Sequence, residues 1–315
     1  MEVLLGGLAS IVYGVADFIG GEASRKVNAA TVVAWSGAFS LPLLLVVAVA
    51  VGGEATTADY ALGFTAGALG SIGLVMLFAG LAQGRAAAVA PVSAALGAIV
   101  PVVVAVTAGD RPSPWAWVGV ALAIPAIALS AWSDDDTGST RLGLRYGVAA
   151  GLGFGGFSSL IGLTSDGSGL LPLVAARGAL VLVVLAVGAL GVWKLSGFAT
   201  TPRRMVLSNS VLDVTANITL ILALRAGSFA LAAVAASFYP AVTVVLAKVV
   251  NAEHLLKRQM AGIALTLLAL AAVAASFYPA VTVVLAKVVN AEHLLKRQMA
   301  GIALTLLALA LIAAN

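Results

Sequence analysis

The sequence has no cysteine, little charge and few of the residues that carry out chemistry. Only 10% of its 315 residues are charged, where a soluble domain has roughly 25%. The lack of cysteine excludes disulfides, thiolate metal sites and thiol nucleophiles. Its two histidines, His254 and His293, are too few for the usual metal or nucleophile and base sets, and no Walker motif is present. We therefore expect no metal and no cofactor, and an enzyme is disfavoured.

What the sequence has in abundance is apolar residues. They make up 62% of the chain, and the mean hydropathy is +1.11. Most runs between charges reach the ~20 residues that a helix needs to cross a ~30 Å hydrocarbon core. The first of them follows no basic segment, so we interpret it as a retained helix rather than a signal peptide. The pattern predicts an all-α membrane protein whose partner is the lipid bilayer.

Charged and turn residues divide the chain into ten predicted helices. The first five are expected near 3–21, 30–51, 61–82, 87–107 and 114–132. After the polar linker SDDDTGSTRLG at 133–143, the other five are expected near 144–164, 169–193, 205–225, 230–249 and 259–272. Four tryptophans fall at proposed helix ends, at the level that headgroups occupy: Trp115, Trp117, Trp132 and Trp193.

The two sets of five helices correspond in sequence. GLAQG at 80–84 matches ALRAG at 223–227, and Tyr13-Gly14 pairs with Phe154-Gly155. Each half has an odd number of spans, so the second half must be upside down relative to the first, as in many secondary transporters. The predicted fold is a ten-helix core of two inverted five-helix repeats.

An exact tandem duplication lengthens the second half. Ala230–Ala271 recurs as Ala269–Ala310, a repeated unit of 39 residues. Packing alone does not require perfect identity, so we interpret the second copy as a recent or artefactual duplication without function, and removal of 269–307 is expected to leave activity intact. The second copy is expected to add further helical residues to the ten-helix core. The predicted domains are the first repeat at 1–140, the second repeat at 141–268, and the duplicated ninth- and tenth-helix segment with the C-terminus at 269–315.

Short acidic loops recur at matched positions of the two halves. Thr107-Ala108-Gly109-Asp110-Arg111 follows a proline-containing helix, and Ala252-Glu253-His254 follows SFYPAVTVVLA. On these residues the chain resembles the EamA-type family of the drug/metabolite transporter superfamily, although the family usually has Glu at Asp110, and Gly and Arg at Ala252 and His254. The resemblance implies ten helices, two inverted five-helix repeats and transport of small metabolites. We interpret Asp110 and Glu253 as cap or turn residues.

Polar residues form a stripe in the predicted eighth helix. Asp213 lies near its middle, and Asn209 and Asn217 lie four residues to either side, which places the three on one face. Such a stripe lines a substrate or ion pathway, or it only bonds neighbouring helices. A low-dielectric cavity disfavours a charged carboxylate, so Asp213 is also a candidate for proton exchange.

Two further charges lie deep in predicted spans. Asp17 and Tyr13, one turn before it in the first helix, are candidates to line the pathway, and the alternative for Asp17 is that it snorkels to the interface. Arg177 lies nine residues into the seventh helix, too deep for a loop charge, and needs an anionic partner. Asp213 and Asp17 are the protein partners available to it, and an anionic substrate group is the alternative.

Three uncharged residues complete the predicted pathway. Trp35 and Tyr239 are candidates to stack on a substrate, with simple packing as the alternative, and Ser158 is the equivalent of Asp17 in the second half. The run GLGFGG at 151–156 lies inside a predicted membrane helix with no strand before it, so a nucleotide site is disfavoured. Its GxxxG spacing favours close helix packing.

Together these features favour a secondary active transporter, an exporter or permease that works by alternating access, with proton coupling as a further expectation. Its partner is a small-molecule substrate whose identity the sequence does not fix. A structural membrane protein and an intramembrane enzyme are the alternatives. We expect the protein to lie in the bacterial plasma membrane and to bind no nucleic acid. Both a monomer and a homodimer are compatible with the sequence.

The side of the membrane on which the termini lie is left open by two conflicting indications. Most Lys and Arg residues fall on the side opposite the N-terminus. Since positive loops stay in the cytoplasm, this bias places the N-terminus outside. The family resemblance instead implies cytoplasmic termini.

Overall fold

A computed structural model describes most of the chain. The described residues are 2–107, 117–118, 121–122, 125, 137–225, 239–251, 261, 263–264 and 268. Predictions that fall mainly or wholly outside them concern the fifth helix at 114–132, the tenth helix at 259–272, the loops with Asp110 and Glu253, and the duplicated segment at 269–315.

Most of the described residues are helical, and no strand lies among them. The eight α-helices are α1 (Glu2–Ser24), α2 (Ala29–Val51), α3 (Thr57–Ala82), α4 (Ala86–Thr107), α5 (Thr137–Gly162), α6 (Leu171–Ala189), α7 (Arg203–Arg225) and α8 (Tyr239–Asn251). Two short 3₁₀ helices lie at Asp166–Ser168 and Phe198–Thr200.

Several of these helices are suited to a bilayer. Four are long and apolar enough to cross one, namely Leu4–Ser24, Ala29–Val51, Thr57–Ala82 and Leu171–Ala189. Large apolar side chains on the outside of the bundle are exposed, including Leu4 at 75% and Val49 at 73%. Large exposed apolar patches are rare on soluble monomers. The prediction of an all-α membrane protein is confirmed by the helical structure and by the length and apolar composition of these four helices.

The predicted boundaries of the first four helices, of α6 and of α7 hold within about four residues, but the predicted start of α5 near 144 is wrong. α5 begins at Thr137, inside the polar linker, because its small residues let it pack against α4: a methyl group on Gly143 would lie 3.4 Å from the Cβ of Ala88. α6 ends at Ala189, and Gly191 follows with a φ of 76°. This left-handed turn suits glycine and leaves Trp193 in a loop rather than at a helix end.

A row of glycines joins α4 to α5. Gly143, Gly147, Gly151 and Gly155 recur every four residues and face Ala88, Val92, Leu96 and Val100 in the same order along α4. An added methyl group on Gly147 would lie 2.8 Å from the Cβ of Val92. The two helices therefore run parallel and in close contact, which confirms the packing interpretation of GLGFGG.

Contacts of other glycines show which helices run parallel and which run antiparallel. α1 and α3 run parallel, because Gly20 meets Phe78 and Gly21 meets Leu81. α3 runs antiparallel to α5, because Gly80 lies beside Tyr146 and Gly70, earlier in α3, beside Phe157. α5 therefore crosses the bundle in the direction opposite to α1.

These directions give the bundle two distinct ends. We call the end where α1 begins the N-terminal end; α2 finishes there, α3 and α6 begin there, and α5 finishes there. The opposite end is called the basic end, because the described residues place these cations there: Arg25, Lys26, Arg85, Arg141, Arg145, Lys194, Arg203 and Arg204.

Candidate functional site

The bundle contains a partly open cavity of about 460 Å³ between helices from both halves of the chain. Seven of the nine residues predicted for the pathway line it, namely Tyr13, Asp17, Ser158, Arg177, Asp213, Asn217 and Tyr239. The rest of the wall is mostly apolar, with residues such as Leu44, Leu74, Phe154 and Phe157. The other two predicted residues, Asn209 and Trp35, lie elsewhere.

Arg177 and Asp213 form an ion pair across the cavity wall. The guanidinium of Arg177 on α6 donates to Oδ2 of Asp213 on α7, and the two side chains are 13% and 21% exposed. The prediction that Arg177 has a protein carboxylate as its partner is confirmed, and that partner is Asp213. Because both charges are largely removed from water, each depends on the other to offset its desolvation.

Asp17 has no such partner. Among the residues that the structure describes, none hydrogen-bonds to its carboxylate or forms an ion pair with it. Tyr13 lies one turn before it, and the ring of Tyr13 lies 6.2 Å from that of Tyr239 on α8, tilted by 58°. The cavity thus holds one neutralised charge pair, one unpaired carboxylate and two neighbouring tyrosines.

The predicted polar stripe of α7 divides into two parts. Nδ2 of Asn217 donates to the backbone oxygen of Asp213 at 2.7 Å, and Asn217 lines the cavity. Asn209 is buried instead, and its Nδ2 donates to the backbone oxygen of Ala16 at 2.7 Å. Asn209 therefore joins α7 to α1, as the alternative interpretation of the stripe describes.

Trp35 is also a packing residue. Its indole N–H donates to the backbone oxygen of Ser196 at 3.0 Å, and its ring lies 5.1 Å from that of Phe198 and 6.2 Å from that of Phe39. It does not line the central cavity. Of the two interpretations of Trp35, the geometry favours packing over stacking on a substrate.

Residues 1–132 match the model of the EamA-like transporter family. This part of the chain is similar to that family. The resemblance that the sequence indicated is confirmed over that range, and the family is one of membrane transporters. No curated protein matches the chain. The EamA-like region supplies Tyr13 and Asp17 to the cavity, and the following residues supply Arg177, Asp213 and Tyr239.

Asp59, which the sequence did not single out, joins two loops at the N-terminal end of the bundle. Its side chain accepts hydrogen bonds from the backbone N–H and hydroxyl of Thr56 at 2.8 and 2.7 Å. It also accepts from the backbone N–H and hydroxyl of Ser165 at 2.7 and 2.8 Å. Nearby, the N–H of Glu54 donates to the oxygen of Gly167 at 2.9 Å. We call Thr56, Asp59 and Ser165 the Asp59 latch; it ties the α2–α3 loop to the α5–α6 loop.

A second set of contacts joins α2 to the α6–α7 loop at the basic end. Oγ1 of Thr31 on α2 accepts from the N–H of Ser196 at 3.0 Å and donates to the oxygen of Lys194 at 3.4 Å. Trp35 adds its bond to Ser196 one turn further along α2. We call Thr31, Trp35 and Ser196 the Thr31 latch. At each end of the bundle, hydrogen bonds therefore join segments from the two halves of the chain.

Proposed function

We propose that the chain is a secondary active transporter that moves small metabolites across a membrane by alternating access to the central cavity. The observation that carries the proposal is a cavity between the two halves that holds the Arg177–Asp213 pair and the unpaired Asp17. Charged groups at membrane depth are costly and mark substrate or ion pathways. The EamA-like match of residues 1–132 supports the same function.

The proposed architecture is a ten-helix core of two inverted five-helix repeats. Equivalent contacts support it: Gly14 of α1 packs on Val242 of α8, and Gly155 of α5 packs on Val100 of α4. Gly155 is the predicted counterpart of Gly14, and α5 runs opposite to α1. Sites between inverted repeats suit transport, because rocking one repeat against the other exposes them to each side in turn.

The two latches define the proposed motion. Opening the cavity at the N-terminal end separates Asp59 from Ser165, whereas opening it at the basic end separates Thr31 from Ser196. Each latch stabilises the state closed at its own end. We propose further that the basic end faces the cytoplasm, because cytoplasmic loops carry an excess of Lys and Arg.

Weakening one latch is expected to shift the protein toward the state in which the cavity is open at the end where that latch lies. Asp59→Asn replaces one accepting oxygen with an NH₂ group, and the loss of one hydrogen bond costs about 1 kcal/mol. Since the chain has no cysteine, Ser158→Cys places a single thiol in the cavity as a reporter. In vesicles, Asp59→Asn should speed labelling of this thiol by an impermeant reagent from the N-terminal end.

The matched control weakens the other latch. Thr31→Val removes the hydroxyl that bonds Ser196 and Lys194 but keeps the shape of the side chain. It should speed labelling from the basic end and slow it from the N-terminal end. Faster labelling from the same end in both variants would argue against alternating access.

Coupling to protons is the last part of the proposal. Asp213 lies in the cavity, and a proton on its carboxylate would release Arg177 from the ion pair. Asp213→Asn keeps an oxygen that accepts from the guanidinium but cannot exchange a proton. We expect proteoliposomes of this variant to lose substrate accumulation driven by a pH gradient, while exchange at equal pH continues.

The matched control for coupling is Glu54→Gln, which also replaces a carboxylate with an amide but at an exposed position outside the cavity. It is expected to retain gradient-driven accumulation. Unchanged pH-driven transport in Asp213→Asn would remove Asp213 from the coupling mechanism.

A further inference from the structure

The charges around the cavity do not balance. Arg177 is neutralised by Asp213, so the ionised Asp17 leaves a net charge of −1 among the described lining residues. The wall contributes little to offset it, because most of the remaining lining is apolar. A lone carboxylate in such surroundings is costly unless a proton or another cation joins it.

The groups near Asp17 are suited to an organic cation. Tyr13 on the same helix and Tyr239 on α8 place two aromatic rings 6.2 Å apart in the same cavity. Cations are attracted to the faces of such rings, and more strongly when water is excluded. Phe154 and Phe157 extend the apolar wall on α5. An occupant with one positive charge and an apolar body would complement both features.

We propose that the cavity binds small organic monocations, with a protonated amine paired to Asp17 and its apolar part against Phe154 and Phe157. This inference rests on the proposed transport function and specifies its substrate class. Tyr13 and Tyr239 contact the ammonium group. Asp213 and Arg177 remain paired with each other and contribute no net charge.

The arrangement disfavours substrates that carry a carboxylate. Arg177 is the cation among the described lining residues, and it already donates to Asp213. A carboxylate in the cavity would have to displace Asp213, which would leave that residue desolvated and unpaired, and it would also face Asp17. Both effects oppose binding of acids and amino acids relative to amines.

The test compares three probes that share one aromatic body. Phenethylamine carries only a positive charge, phenylacetate only a negative charge, and phenylalanine both. With the full chain in detergent and in proteoliposomes, we expect phenethylamine to bind and to be transported at least about tenfold better than the other two, a difference of about 1.4 kcal/mol.

Variants then assign the binding to Asp17. Asp17→Asn should weaken phenethylamine binding about tenfold or more, whereas Asp17→Glu should retain most of it. Glu54→Gln makes the same change from carboxylate to amide at an exposed position outside the cavity and should bind normally. In the wild-type protein, phenethylamine but not phenylacetate should protect Asp17 from a hydrophobic carbodiimide, which tests the site even if Asp17→Asn does not fold.

The outcomes separate this inference from the proposed function. Transport of phenylalanine or phenylacetate in preference to phenethylamine would overturn the cation site and leave the transporter standing. Binding of phenethylamine at Asp17 without flux would support the site and count against transport. Binding of none of the three probes, or equal protection of Asp17 by phenylacetate, would overturn the cation site.

Discussion

Replacing Arg177 with methionine is expected to destabilise the protein by about 3–5 kcal/mol, the usual cost of removing one partner from a buried ion pair. Asp213 would stay in the cavity wall, 21% exposed, without the guanidinium that offsets its desolvation. Methionine keeps much of the apolar stem of arginine, so the loss is mainly that of charge and hydrogen bonding. Thermal unfolding in detergent, followed by size-exclusion fluorescence, would measure it.

The double variant Arg177→Met with Asp213→Asn distinguishes loss of charge from loss of packing as the cause of this destabilisation. It removes both charges, so most of the lost stability should return, because a neutral pair of similar volume replaces a buried pair at little cost. Arg141→Met provides the surface control, since Arg141 is exposed at the basic end and the change should stay within about 0.5 kcal/mol. A double variant as unstable as Arg177→Met alone would show that packing, not charge, is lost.

The apolar runs allowed most described helices to be predicted, because hydrocarbon thickness sets a minimum length that sequence reveals directly. The same reasoning placed Arg177 too deep for a loop and required an anionic partner, which the structure identifies as Asp213. The start of α5 was wrong, because Thr, Ser and Gly at 137–143 are typical of a loop, whereas packing of Gly143 on α4 extends the helix.

Roles that depend on contacts distant in sequence could not be predicted. Asn209 and Asn217 lie on the same predicted face, yet one bonds α1 and the other lines the cavity. Trp35 is held by Ser196, 161 residues away. Asp59 had a local signal, since Thr56 and Asp59 form a capping box, but its partner Ser165 lies 106 residues further along. Sequence indicates which residues are unusual, and the packing of the helices decides which neighbours they meet.

Gly67→Ala is expected to be nearly as damaging as the loss of Arg177, although it adds one methyl group. Gly67 lies in α3 against the backbone of α6, and a Cβ there would overlap the carbonyl oxygen of Ala176. Backbone cannot rotate away as a side chain does, so α3 and α6 must separate, at a cost of about 2–3 kcal/mol. Arg177 follows Ala176 directly, so the separation should also displace the ion pair and lower transport.

Gly178→Ala is the matched control, since it adds the same group to a glycine in α6. The structure places nothing within 4 Å of a Cβ at Gly178. Alanine is the better helix former, so this variant should be as stable as the wild type or more stable by up to about 1 kcal/mol. If the same added methyl group lowers stability at Gly67 but not at Gly178, contact between α3 and α6, and not glycine flexibility, holds the two halves around the cavity. Equal effects of the two substitutions on unfolding would contradict the close approach at Gly67 and, with it, the placement of Arg177.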